Sequence, residues 1–188
     1  MPIKLIIALG NPGKEYENTY HNAGFLFADY LEKNRRVFPP RVDPPRADNF
    51  SAKGGQFFRQ GRDLAPSGRT IFKSDVYMNE SGLFVRKMMK KYGAKPEEIL
   101  VVHDDSDLMA GEYKFSVGRG AAGHKGAASV IAHLGTKEFS RLRIGIRPKL
   151  PPEAERQKAE AFVLKKINKK DMEKIERAIE EAAEELAR

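Results

Sequence analysis

The sequence predicts an α/β fold, a single domain over residues 1–188 in which a mixed twisted sheet is flanked by helices on both faces. Three observations carry this. Short apolar runs, strand-sized, alternate along the chain with stretches whose apolar residues recur at helical spacing, the pattern of a layered α/β sheet. One strand-like segment, Tyr113 to Val117, alternates polar and apolar residues and so belongs half exposed, and its place close behind Asp107 to Gly111 looks like a hairpin, which makes the sheet mixed rather than purely parallel. The length, 188 residues, suits one domain with a core of its own.

The elements follow in order. Ile3 to Leu9 is apolar apart from Lys4 and reads as a buried strand, broken by Gly10-Asn11-Pro12-Gly13. Ala23, Leu26, Phe27, Tyr30 and Leu31 mark a helix from about Asn22 to Lys33, with Thr19 as the expected N-cap. Residues 35–69 hold five of the eleven prolines and eight basic residues against three acidic ones. They read as an extended excursion with short strands near Gln56–Arg59 and Thr70–Lys73. Val85, Met88, Met89 and Tyr92 give a helix from Ser81 that Gly93 ends as its C′ residue. Ile99 to His103 is a second buried strand. The strand opening at Tyr113, close behind Asp107 to Gly111, looks like the return arm of a hairpin. His124 to Leu134 is helical and stops at Gly135. Arg141 to Ile146 is a strand with Leu142, Ile144 and Ile146 on one face. A stripe from Met172 to Leu186 forms a C-terminal helix, and Asn168 with Asp171 resembles a capping box.

Composition narrows the function classes. With no cysteine, a disulfide framework, a thiolate metal site and a cysteine nucleophile are all excluded. The apolar runs are too short to span a bilayer and the N-terminus has no signal-peptide pattern, so a cytoplasmic protein with no membrane partner is expected. The net charge of +8 predicts attraction to polyanions.

The residues that could carry chemistry are few. His21 stands at the start of a helix, where the dipole disfavours a second positive charge, so its imidazole is expected to stay uncharged and able to act as a base. His103-Asp104-Asp105-Ser106-Asp107 follows a buried strand, where ligands of open α/β sheets collect. It offers either a metal site or one aspartate that orients a histidine; alternation sends Asp104 and Asp105 to opposite sides. Gly118-Arg119-Gly120-Ala121-Ala122-Gly123 matches a dinucleotide fingerprint, but the strand before it alternates instead of being buried. A flexible loop gating a substrate is the other reading. Asn11 and Asn79 sit in turn-like contexts that suit either a structural or a substrate-contacting amide.

Taken together, Leu9-Gly-Asn-Pro-Gly13 with Tyr16, Thr19, His21, Asn22 and Gly24, then Tyr77-Met78-Asn79 with Ser81-Gly82, then His103-Asp104 with Asp107-Leu108 and Gly111 resemble the bacterial-type peptidyl-tRNA hydrolase family. Gly123-His124, Gly126, Leu134-Gly135, Phe139 and Arg141-Leu142-Arg143-Ile144-Gly145-Ile146 extend the likeness over nearly the whole chain. The resemblance implies a monomeric hydrolase that cleaves the ester between a peptide and the 3′-terminal ribose of tRNA, with no metal or cofactor, recycling tRNA from stalled or aborted translation. It makes His21 the base that activates water and Asp104 the group that fixes its tautomer. It places Asn11 and Asn79 on the peptide and the attacking water, Tyr16, Met78, His124 and Lys125 about the substrate, with His124 in a gate, and Lys114 and Arg143 on the tRNA end.

Three positions depart from the family pattern: Tyr20 in place of an arginine, Lys125 in place of the gate asparagine, and Ser116 in place of a lysine for which Arg119 could substitute. They prompt a second reading, an RNA-binding relative with altered catalysis. A run of cations about the start of the last helix (Lys165, Lys166, Lys169, Lys170, Lys174, Arg177) could also serve the RNA or be a solvated face.

Overall fold

The computed structural model describes residues 3–34, 63–65, 69–148 and 158–188. Six strands form one sheet: β1 (Leu5–Ala8), β2 (Asp63–Ala65), β3 (Arg69–Lys73), β4 (Ile99–Met109), β5 (Tyr113–Ser116) and β6 (Ser140–Arg147). Their order across the sheet is β2-β3-β1-β4-β6-β5. The four inner strands run parallel, while β2 and β5 are antiparallel edges. The sheet is therefore mixed, as expected. The hairpin expectation is overturned: β5 pairs with β6, in register Lys114 opposite Arg143, and β6 lies between it and β4. The proposed strand near Gln56–Arg59 falls outside the described residues.

Strand alternation sorts the apolar side chains into two layers. Ile6, Ala8, Leu100, Val102, Leu142 and Ile144 meet α1 (Ala23–Lys33) and α4 (Lys169–Ala187). Leu5, Ile7, Leu9, Ile99 and Val101 meet α2 (Ser81–Tyr92) and α3 (Lys125–Leu134). All four residues of β1 are buried on both faces, which is why that strand reads as a continuous apolar run. Helix ends follow their local chemistry. Gly93 and Gly135 close α2 and α3 in the left-handed region, at φ 61° and 67°. Asn168 caps α4 by accepting from the Asp171 N–H at 2.9 Å. The Asp171 carboxylate, though, receives Tyr20 and Asn168 side chains, so the capping box is only half made. Thr19 is not the cap of α1. It heads a 3₁₀ turn, Tyr20–Asn22, and its hydroxyl donates to the Tyr16 carbonyl, while Asn22 occupies the N-cap position.

One close approach positions the site. A Cβ at Gly24 would stand 2.5 Å from the Leu9 carbonyl oxygen and 2.7 Å from that of Val102. Only glycine lets the start of α1 lie against the ends of β1 and β4, and backbone does not yield as a flexible side chain does. His21, three residues earlier, is thereby brought beside Asp104 at the middle of β4.

Candidate active site

The C-terminal ends of β1, β3 and β4 lie on one edge of the sheet, and the segments that leave them supply most of the site. Asn11 follows β1, Tyr77, Met78 and Asn79 follow β3, and Asp104 lies in the outer half of β4. The 3₁₀ turn before α1 adds His21 and the N-cap of α3 adds His124. They border a cavity of about 530 Å³ whose far wall includes Val163 and Leu164. This is the crevice at strand ends where open α/β sheets take their ligands.

At its floor is one carboxylate and two imidazoles. Asp104, 2 % exposed, receives His21 Nδ1 at 2.9 Å and His124 Nε2 at 2.8 Å, both on Oδ1. Burial works against the carboxylate charge, but the facing His124 and His21 outweigh it and hold the group far below its ordinary 3.8. An ionised carboxylate only accepts, so each ring must present an N–H to it. For His21 this puts the hydrogen on Nδ1 and leaves the Nε2 lone pair for the cavity. For His124 it puts the hydrogen on Nε2 instead, and that tautomer is set twice, because its Nδ1 accepts the Ala127 N–H at 3.0 Å. His103 lies behind, its Nδ1 donating to the Asp104 carbonyl and its ring 4.5 Å from that of His124. Burial, then the neighbouring His124, depress its pKa to about 3, so it stays uncharged.

His21 corrects the expectation drawn from the helix start. Burial disfavours its charged form, but the Asp104 charge and hydrogen bond prevail and raise its pKa above 6.5, with Lys125 pulling the other way. The nearby ion outweighs the dipole of a helix end, whose influence is typically about 0.3–1 kcal/mol.

The amides are arranged differently. Asn11 and Asn22 exchange two hydrogen bonds, Asn11 N–H to Asn22 Oδ1 at 2.8 Å and Asn22 Nδ2 to the Asn11 carbonyl at 3.0 Å. Asn11 Oδ1 accepts the Met78 N–H at 2.8 Å, which turns its Nδ2 into the free donor. Met78 is buried and Asn79 exposed, and both line the cavity. Tyr16 does not line it but packs edge-on against Tyr77, which does, with centroids 6.2 Å apart. Tyr20 does not line it either: its ring packs on Phe162 and its hydroxyl donates to Asp171 at 2.7 Å. Lys125 lines the cavity at the first turn of α3.

Lys114 and Arg143 are opposed across β5 and β6, and Arg143 Nε donates to Asp105 Oδ2 at 2.6 Å. Asp105 thus serves an arginine while Asp104 serves the histidines, and Asp107 goes to Arg147. The metal reading of residues 103–107 falls, since these carboxylates do not converge. Three ligand atoms of His21, Asp104 and His124 do lie within 4.8 Å of one another. His124 Nε2, though, carries a hydrogen as long as Nδ1 accepts from Ala127, so its lone pair is not offered to a cation. The glycine loop after β5 leaves an antiparallel edge strand and ends in the cap of α3, which is not the setting of a dinucleotide fingerprint. Lys166, one of the cations near α4, donates to the carbonyls of Glu15 and Glu17, a structural role.

The sequence profile of the family described as peptidyl-tRNA hydrolase matches residues 5–188. The chain belongs to the peptidyl-tRNA hydrolase family. A peptidyl-tRNA hydrolase of Neisseria meningitidis serogroup A is 41 % identical over 145 residues, 77 % of this chain and 70 % of that one. The peptidyl-tRNA hydrolase of Aquifex aeolicus is 36 % identical over 187 residues, 96 % of this chain and 92 % of that one. The crystal structure of peptidyl-tRNA hydrolase from Acinetobacter baumannii matches with a TM-score of 0.72 at 29 % identity, covering 98 % of this chain and 86 % of that one. Within this peptidyl-tRNA hydrolase fold, the motifs contain two participants whose contacts the sequence does not reveal. Asn22 was legible only as part of a motif, although it clamps Asn11. His124 was read as a gate, although it binds the same carboxylate oxygen as His21.

Proposed function

We propose that this cavity hydrolyses the ester between a peptide and the 3′-terminal ribose of tRNA, with His21 as the base. The family assignment makes the chain a peptidyl-tRNA hydrolase, an ester hydrolase. The residue roles rest on one observation: His21 lines the cavity with its Nδ1 engaged by Asp104, which leaves Nε2 as the nitrogen with a lone pair to offer. A water beside Nε2 gives up its proton to the ring as its oxygen bonds to the ester carbonyl carbon. The charge that develops on the carbonyl oxygen meets amide donors, Asn11 Nδ2 and the Asn79 side chain. The C–O bond to the ribose then breaks, and the imidazolium returns its proton to the departing 3′-oxygen. Asp104 stabilises the imidazolium between these two transfers. An alkoxide leaves more readily than an amine, so a histidine and water suffice and no serine or cysteine nucleophile is required.

Lys114 on the edge strand β5 and Arg143 opposite it on β6 are the cations proposed for the tRNA end. Arg143 already faces Asp105, so a phosphate would share the guanidinium with that carboxylate. The intact His21–Asp104 pair supports an enzyme over an RNA-binding relative with altered catalysis. No helix among the described residues is long and apolar enough to cross a membrane.

A single-turnover assay on a labelled peptidyl-tRNA tests the reading. The expected products are free peptide and tRNA with an intact 3′ adenosine; binding without cleavage would favour the RNA-binding alternative. In the same system affinity falls steeply with salt, and the logarithmic slope in Arg143→Ala is shallower by about one. An unchanged slope removes Arg143 from the phosphate contacts.

A further inference from the structure

We propose that His124 is a positioning residue for the hydrolysis: by donating to the same oxygen of Asp104 as His21 does, it sets how strongly that carboxylate holds the His21 Nδ1–H. The inference rests on the reading of His21 as the base. Three observations carry it. Asp104 Oδ1 is shared, at 2.9 Å from His21 and 2.8 Å from His124. His124 is also the N-cap of α3, a position where histidine is not among the favoured residues, so its ring is explained by the end that reaches Asp104. Finally, the Ala127 N–H keeps the His124 hydrogen on Nε2, aimed at the carboxylate.

A second donor on Oδ1 neutralises part of the charge that would otherwise favour a proton on His21. Removing it leaves the carboxylate to His21 alone, and the imidazolium becomes easier to form. The other charges around the pair keep their sign. Lys125, from the same helix start, opposes the imidazolium, and Asp105 and Glu160 border the cavity. His103, against the far side of the His124 ring, is uncharged.

The informative variant is His124→Asn. Asparagine is a favoured N-cap whose side-chain oxygen accepts the same backbone N–H, so α3 keeps its cap while the donor to Asp104 is lost. His124→Ala removes both functions and shows in its unfolding curve what the cap alone is worth. The His21 ring is titrated by NMR in the free enzyme, and kcat/KM is measured against pH. The expected result is a His21 midpoint at higher pH in His124→Asn than in wild type. The acidic limb of kcat/KM moves with it, and the rate at pH 5.5, relative to each enzyme's own plateau, drops about 3- to 10-fold further. A midpoint that stays or falls in His124→Asn overturns the proposal, including the case where only His124→Ala shifts it. A midpoint that rises while the rate limb stays supports the coupling and removes His21 as the base.

Discussion

Replacing His21 with alanine lowers single-turnover ester cleavage about 10²–10⁴-fold, the usual contribution of a general base. Affinity for tRNA stays close to wild type, because binding is carried by cations on phosphates and His21 is buried at the floor of the cavity. The two readouts separate loss of chemistry from loss of the fold. A cleavage rate within tenfold of wild type would take His21 out of the mechanism. The wild-type pH profile belongs to the same expectation. The base must be unprotonated, and Asp104 raises the His21 pKa above 6.5, so activity climbs as pH rises through a value above 6.5. The ion pair itself works in the opposite sense. The stability it contributes through His21 is full below the unfolded pKa of histidine and is lost as pH rises through the raised folded one.

Asp104→Asn is the second large effect. Asparagine has nearly the same shape, but it removes the charge that balances the imidazolium. Its amide can also present an N–H to His21, which would favour the tautomer with the hydrogen on Nε2. The expected loss is again about 10²–10⁴-fold in kcat. The direction of the pH profile distinguishes this from general damage. With the Asp104 terms gone, burial and Lys125 remain, and both lower the His21 pKa. The acidic limb therefore moves to lower pH, opposite to the shift expected for His124→Asn. A limb that stays in place, or moves up, would show that the carboxylate does not act through His21.

Much of the fold was readable because its central strands are buried on both sides. β1 and the first half of β4 are continuous apolar runs, and α2 and α3 show helical spacing with a glycine just past each end. The errors share one physical origin, a partner distant in sequence. β5 was assigned to its nearest neighbour in the chain, but strand order is decided by the whole sheet, and β6 inserts between them. β4 runs on to Met109 through polar residues, of which only His103, Asp104 and Asp105 are buried, by pairing with β6 and by side-chain partners that leave no periodic trace.

The site divides in the same way. Motif likeness named His21, Asp104, Asn11 and Asn79, and all four line one cavity. The protonation of His21 was misjudged from a helix end beside it, because the controlling group lies 83 positions away. The sharing of Asp104 with His124 was equally hidden, since the G-x-G-x-x-G loop before it suggests an anion site or a gate. Tyr20, Ser116 and Lys125 depart from the family pattern with unequal consequences. Tyr20 packs into the α1–α4 layer, the Ser116 hydroxyl is buried without a partner among the described residues, and Lys125 alone adds a charge that acts on His21.

The orientation of one ring hydrogen bears most directly on the catalytic role. With uniformly ¹⁵N-labelled enzyme above the His21 titration midpoint, the long-range ¹⁵N–¹H spectrum of that ring reports which nitrogen is protonated. The hydrogen is expected on Nδ1, facing Asp104, with Nε2 bare toward the cavity. A ring that carries it on Nε2 instead would have no lone pair to offer the attacking water, and His21 could not be the base.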